Sequence, residues 1–542
     1  MNTVFRQRPW LAILLASVIV AVIYAPGFTG FWHGDDIANL GRVYTQSQQG
    51  SLWREALSLF AAPVPSAGAF YRPMMMLSMS VNFFLFDAYY PGWYLFNFLV
   101  HIANTLLVAM VVRRIAAWAA LDASLAAVVA ALLFGLSPVI AEGVYWVSAR
   151  ADGWVTLLSL TGIYLWAGPP GKEKSSAAFA LPLLLVVALG FKESAAVLPL
   201  QMTLLALAWP VRLNWPMRAA LAGAFLVVVL FLLWRAHLFG NAWQVYAADT
   251  VNNMTMSMKL LHALQSIPAW WLALTGSTPT TAGAYLIAIA LITIAAPAMA
   301  RNQLFLALAF LFACGGLVLA TLLNLGGLNP NGEGGRLSYG PVAWLALAIG
   351  IFLSRPLTLM ESSSRSRSVA LASATLAVLV GATVLWAQLS VAWSAQDGMR
   401  ALTTSMRTWP ETHPGLTMLI VPENDGAIVL TRNAQGGMAL APIQPTPQLH
   451  RVLPTLKSEL ALRRDQFCNG LVTKLELIQP RVGDEATLKA LVQPAETRWP
   501  AHIACWSKAE KRIVALSVPS ANALCNAWLE PVTREVNERC DR

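Results

Sequence analysis

Asp35 and Asp36 are adjacent carboxylates closing the stretch Phe31-Trp32-His33-Gly34-Asp35-Asp36, just beyond an apolar run from about Trp10 to Ala25. A carboxylate there can take the proton of an attacking hydroxyl, and charges this close to hydrocarbon are costly unless they have a task. Further along, Arg72, Glu142, Arg150, Asp152, Lys192, Glu193, Glu333 and Arg336 recur at the ends of apolar segments. Carboxylates mixed with cations suit a reaction that needs a general base and a clamp for an anionic leaving group, and phosphate is the obvious anion. An arginine would grip it bidentately, whereas a lysine would act as a point charge.

Each of these residues also has a structural reading. Adjacent acids cap helices, Glu142, Arg150 and Asp152 could form an ion-pair network, and Lys192 with Glu193 could be a solvated turn. The loop around Glu333 and Arg336 carries Gly332, Gly334 and Gly335, which suit either a linker or a close backbone approach to a ligand. Asn97, His101 and Asn104 share one helix face, where interhelical hydrogen bonding is expected before ligand binding. The chain has no P-loop, no GxGxxG between a strand and a helix, no GxSxG and no zinc-type spacing of His. No cofactor is therefore implied, and a need for a divalent metal is left open.

The elements that must position these residues are set by composition. Of 542 residues, 57% are hydrophobic and 12% charged, with a mean hydropathy of +0.57, so most of the chain belongs in lipid. Windows of membrane length give about eleven spans: 10–25, 93–112, 122–139, 153–168, 177–191, 195–210, 217–235, 282–300, 303–323, 339–354 and 369–390. Arg6 and Arg8 precede the first span, which reads as a retained helix because no small-residue cleavage site follows. With those two, Arg113, Arg114, Lys172, Lys174, Arg212, Arg218, Arg301, Arg355, Arg365 and Arg367 alternate so as to place the N-terminus inside and the C-terminus outside. Asp35, Asp36, Arg72, Glu142, Arg150, Asp152, Lys192, Glu193, Glu333 and Arg336 then fall on the extracytoplasmic side. Residues 258–276 are assigned to a re-entrant or interfacial helix, and Met74–Phe86, broken by Ser78, Ser80 and Asn82, to a helix in the interface.

The net charge of +10 is scattered among loops, which fits contact with anionic membrane lipids and argues against nucleic acid. The 21 Trp fit interfacial belts. The expected fold class is thus an α-helical polytopic membrane protein with a C-terminal extracytoplasmic soluble α/β domain. Residues 1–390 form the membrane domain, with 27–92 as its first outer loop, and 391–542 form the soluble domain, with strands expected at Thr417–Val421, Ala427–Thr431 and Arg512–Val518. Cys468, Cys505, Cys525 and Cys540 lie in that domain and are expected as disulfides of undetermined connectivity.

In this order the residues resemble the GT-C superfamily of membrane glycosyltransferases, above all bacterial relatives of the protein O-mannosyltransferases and of the TPR-containing transmembrane O-mannosyltransferases. The resemblance covers residues 9 to about 355. Phe31 to Asp36 resembles the acidic motif of the first outer loop, Phe70-Tyr71-Arg72-Pro73 the start of the interfacial helix, and His101-Ile102-Ala103-Asn104 the pattern of the second span. Ser137-Pro138 to Glu142 and Trp146 to Arg150-Ala151-Asp152 are similar to a "HP…E…W…RAD" run, Phe191-Lys192-Glu193 to a "KE" turn, and Gly335-Arg336-Leu337-Ser338-Tyr339-Gly340-Pro341 to an "ERY.YLP" motif. Ser137 stands where the family has His, Gly335 stands where it has an acid, and the repeats of the eukaryotic relatives are missing.

The resemblance implies transfer of a sugar from a polyprenyl-phosphate donor to a hydroxyl of a glycan, lipid or protein acceptor. It implies Asp35 and Asp36 as catalytic, and contacts to donor or acceptor from Arg72, Glu142, Arg150, Asp152, Lys192, Glu193 and Arg336. The expected location is a bacterial inner membrane, with the active site and the soluble domain in the periplasm. A transporter or flippase of lipid-linked substrates, or an O-antigen ligase or polymerase, is the alternative. Charges gathered at one face without an internal repeat, and an early acidic motif, weigh against these.

Overall fold

The computed structural model describes residues 9–62, 70–118, 123–168, 176–208, 213–240, 335–359, 364–423, 428–431, 434–445, 451–461, 500–517 and 529–541. Helices dominate: α1 (Pro9–Tyr24), α2 (Asp35–Gln48), α3 (Leu52–Ser58), α4 (Pro73–Phe86), α5 (Tyr90–Ala117), α6 (Ser124–Gly135), α7 (Glu142–Tyr145), α8 (Arg150–Ala167), α9 (Ala180–Phe191), α10 (Leu198–Ala208), α11 (Trp215–Phe239), α12 (Tyr339–Leu359), α13 (Ser364–Thr412) and α14 (Leu529–Arg539). The strands are β1 (Thr417–Val421), β2 (Val452–Leu456), β3 (His502–Ser507) and β4 (Arg512–Ala515). Contacts divide the chain into two compact units, one of residues 1–26, 58–76 and 94–389, the other of 27–57, 77–93 and 390–542.

Among the described residues, Pro9–Thr29, Tyr90–Ala117, Trp215–Phe239 and Ala374–Thr412 are long and apolar enough to cross a membrane. The exposed Leu226, Val229, Leu230 and Leu233 of α11 give it an apolar face that hydrocarbon would cover. A helix stands at each expected span that falls on described residues, while 258–276, 282–300, 303–323 and Glu333 lie outside them. The span expected at 122–139 is bent, not straight. Between 122 and 139 the helix stops at Gly135, Ser137 turns extended, and a 3₁₀ turn begins at Pro138, bending the path by 45°. Pro138 has no N–H for the ladder and disfavours a helical residue before it.

In the second unit, the sheet has the order β2-β1-β3-β4, with β1 parallel to β2 and β3 and β4 antiparallel to β3. Met418, Ile420, Leu453, Ile503, Cys505 and Val514 form its core with Val532 and Val536, one turn apart on α14. A disulfide joins Cys505 of β3 to Cys540 beyond α14, whereas Cys468 and Cys525 lie outside the described residues. The expected strand at Ala427–Thr431 is replaced by a single bridge at Val429, whose carbonyl accepts from Gly34 N–H at 2.8 Å instead of extending the sheet. Helix α13 continues well past residue 391, because Ala392, Ala395, Met399, Leu402, Met406 and Trp409 recur at alternating steps of three and four and are all buried.

Candidate active site

The acidic pair opens α2, in the second unit. Gly34 precedes it with φ 54° and ψ −135°, a conformation that residues with a Cβ avoid, so the turn depends on glycine. Both carboxylates then lie in the first turn, where the helix dipole favours negative charge. Their surroundings differ. Asp36 is 1% exposed and its Oδ2 lies 3.6 Å from Nδ1 of His33, whereas Asp35 is partly exposed and accepts a 2.8 Å hydrogen bond from Thr431 Oγ1.

The loop before the pair is held by α13. Arg400 donates from Nη2 to the carbonyls of Thr29 and Gly30, the latter at 2.8 Å, and its guanidinium lies 5.6 Å from the Phe31 ring centre. Gln396 is 1% exposed and donates to Tyr90 Oη at 3.1 Å. Trp32 packs edge-on to Tyr90 and Trp93. A Cβ on Gly30 would fall 2.2 Å from Gln396 Oε1 and 2.8 Å from the Tyr90 ring, so this close packing also needs glycine.

The remaining candidates lie in the first unit, each at the end of a helix. Arg72 immediately precedes Pro73, the favoured residue for a first helical turn, and donates to Glu193 Oε1 at 3.1 Å. Lys192 follows the end of α9 in an extended conformation and places its ammonium 2.8 Å from both oxygens of Asp152, in the first turn of α8. Glu142, opening α7, accepts at Oε1 from Arg336 Nη1 at 2.7 Å and at Oε2 from the Arg336 backbone N–H at 3.0 Å. Next to it Gly143 lets Tyr339 approach, since a Cβ there would meet the ring at 2.7 Å. The Arg336 guanidinium lies 4.5 Å from the Trp146 ring centre, a cation–π contact.

Lys192 and Glu193 do not form a solvated turn, for they are only 3% and 9% exposed. Burial lowers the Lys192 ammonium below its ordinary value, Asp152 opposes this, and the like charge of Arg72 adds to it. Burial would raise the Glu193 carboxyl, but Arg72, a backbone hydrogen bond and Lys192 prevail and hold it below the ordinary carboxylate range. Arg150 is 1% exposed and donates from Nε to the Val147 carbonyl at 3.2 Å, within the turn that leads into α8.

Asn97, His101 and Asn104 serve as interhelical ties. Asn97 donates to the Trp146 carbonyl at 3.0 Å and Asn104 to the Gly153 carbonyl at 2.9 Å. His101 Nε2 faces the Gly135 carbonyl at 3.1 Å, which can only accept, so in the neutral ring Nδ1 accepts a hydrogen bond from the Tyr339 hydroxyl at 2.7 Å.

The structure adds Arg235, which sequence reasoning passed over as the end of a span. Helix α11 runs on to Phe239, so Arg235 sits one turn inside it, 1% exposed and electrostatically coupled to both Glu193 and Arg72. The signal was present, since an ionisable residue within an apolar helix is rarely idle. Thr431, Gln396 and Arg400 carried no comparable signal, being ordinary polar residues far along the chain from the acids they support. Among the described residues, no three His, Cys, Asp or Glu side chains gather as a metal ion would require.

A largely helical chain with membrane-length apolar helices, a small α/β sheet and buried ion pairs at helix ends is thus of the polytopic membrane type. Two solved structures are similar to it. The arabinofuranosyltransferase AftD from Mycobacteria matches with 14% identity over 77% of this chain, at a TM-score of 0.41, and this chain spans only 29% of AftD. ArnT from Cupriavidus metallidurans, solved with undecaprenyl phosphate bound, matches with 13% identity over 93% of this chain and 94% of its own length, at a TM-score of 0.45. No protein-family model and no curated protein matches the chain.

Proposed function

We propose that this chain is a membrane glycosyltransferase that moves a sugar from a polyprenyl-phosphate-linked donor to an acceptor hydroxyl on the extracytoplasmic face. The observation that carries the reading is the buried group in which Arg72, Lys192 and Arg235 come together with Glu193 and Asp152. Arg72 is repelled by both Lys192 and Arg235, and cations gathered in this way suit a site where negative charge develops.

In this reading Asp35 takes the proton of the acceptor hydroxyl. The freed oxygen attacks the anomeric carbon of the donor while the bond from that carbon to the phosphate oxygen breaks, and the electron pair leaves with the polyprenyl phosphate. Charge then gathers on that phosphate, where cationic side chains stabilise it. Of the two acids, Asp35 is the base because it is the more exposed and so open to an acceptor. An apolar helical scaffold suits a donor whose tail confines its phosphate to the membrane surface.

The test is comparative glycan mass spectrometry of a deletion strain. One sugar addition is expected to be lost, restored by the wild-type gene and left unrestored by Asp35→Asn. An unchanged set of glycans overturns the proposal, and uptake measured in proteoliposomes would then test transport.

A further inference from the structure

Asp35 and Thr431 are separated by 396 positions, yet the Thr431 hydroxyl lies 2.8 Å from Asp35 Oδ1. Both belong to the second unit. The contact is built from both sides. On one side the backbone of Thr431 is pinned, because its carbonyl accepts from the N–H groups of Ala434 at 3.0 Å and Gln435 at 3.2 Å, and the neighbouring Leu430 N–H bonds to Glu423 at 2.8 Å. On the other, Gly34 N–H bonds to the Val429 carbonyl at 2.8 Å, so the residue before Asp35 is tied to the same short segment. One turn further along, Ile37 is fully buried and packs so closely on Gly437 that a Cβ there would stand 2.9 Å from Ile37 Cγ2.

These contacts fix the backbone on which Asp35 stands, but two side-chain torsions of the aspartate remain to be set. A hydroxyl donor on one carboxylate oxygen sets them and turns the plane of the group. The alignment matters, because a misplacement of about 1 Å in a reacting group can cost about 10²-fold in rate.

We infer that Thr431, in the C-terminal domain, is a positioning residue for the transfer reaction: its hydroxyl orients the Asp35 carboxylate to receive the acceptor proton. The inference rests on the proposed glycosyltransferase reading and assigns the soluble domain a part in the chemistry. It also distinguishes the two acids, since Thr431 bonds to Asp35, whereas Asp36 Oδ2 lies 3.6 Å from His33 Nδ1.

The test uses the full-length chain with Thr431→Val, which keeps the shape and removes the donor, and Thr431→Ser, which keeps the donor. Two quantities are read: the initial rate of glycan restoration in the deletion strain at matched protein level, and binding of undecaprenyl phosphate by the purified protein. Thr431→Val should lower the rate at least about tenfold, Thr431→Ser should stay within about threefold of wild type, and both should bind undecaprenyl phosphate and melt as the wild type does. Thr431→Val should add nothing to the loss caused by Asp35→Asn.

A wild-type rate for Thr431→Val beside an inactive Asp35→Asn overturns the positioning role and leaves the proposed function standing. Equal losses for Val and Ser overturn it as well, since the hydroxyl would then not matter. A wild-type rate for Asp35→Asn itself removes the base assignment on which the inference depends.

Discussion

The ammonium of Lys192 lies 2.8 Å from both carboxylate oxygens of Asp152, forty positions earlier, and the two side chains are only 4% and 9% exposed. A pair formed so far from water stabilises the fold little on balance, because desolvating two charges offsets most of their attraction. Its consequence is an asymmetry between losing one partner and losing both. Lys192→Ala should cost about 3–5 kcal/mol by leaving a buried carboxylate uncompensated, and adding Asp152→Ala should recover part of that loss. Thermal unfolding of the two variants in detergent is the check, and a double variant less stable than the single one would contradict it.

The Arg72–Glu193 pair gives the acid response its direction. Glu193 is held below its ordinary value of 4.5 in the folded chain, so its contribution is fully present above that pH and is lost as pH falls through the lower, folded value. Lys192, lowered from 10.5, acts in the same direction, since the cost of burying its ammonium is relieved as pH rises through its folded value toward that figure. A melting series from pH 7 to pH 3 should therefore fall less steeply for Glu193→Gln than for wild type. Parallel curves would show that Glu193 does not contribute to the acid limb.

Asp35 and Asp36 are adjacent in sequence but should separate in phenotype. Asp35→Asn is expected to lower transfer by about 10² to 10⁴ while the melting temperature stays near that of wild type. Asp36→Asn alters a fully buried side chain facing His33, and should destabilise the protein more than Asp35→Asn does. Glycan restoration and melting, measured on the same two variants, decide this. Transfer at the wild-type rate in Asp35→Asn would contradict it.

The disulfide Cys505–Cys540 closes a separation of 35 residues between β3 and the end of α14. Replacing both cysteines by serine should cost about 2–4 kcal/mol, read as a lower unfolding temperature in detergent. A bond of this kind suits an oxidising compartment, so a reporter fused after residue 542 should be active only outside the cytoplasm. Activity inside would reverse the expected orientation.

Much of the helical scaffold is legible in the sequence because burial in lipid or core is read locally. The apolar windows find α1, α5, α8, α9, α11 and α12 near their observed positions, and Met74–Phe86 differs from α4 by one residue. Thr417–Val421 is a strand with those bounds. Where local reading failed, another force acted. Pro138 cut a span short, and the heptad-like spacing after residue 391 carried α13 on to Thr412, where polar composition suggested that the domain had already begun.

The candidate site divides in the same way. Sequence by itself determined which ionisable residues stand at helix ends and that the acidic pair follows a glycine, because charge next to an apolar run and the freedom of Gly34 are properties of the adjoining residues. Only the tertiary structure decided the partners: Arg72 with Glu193 across 121 positions, Arg336 with Glu142 across 194, and Thr431 with Asp35 across 396. Arg235 joined the cationic group for the same reason. The amount of apolar surface tells a segment to be buried but not against what, and which helix ends converge is settled by side-chain packing and by the requirement that each buried charge meet a compensating one.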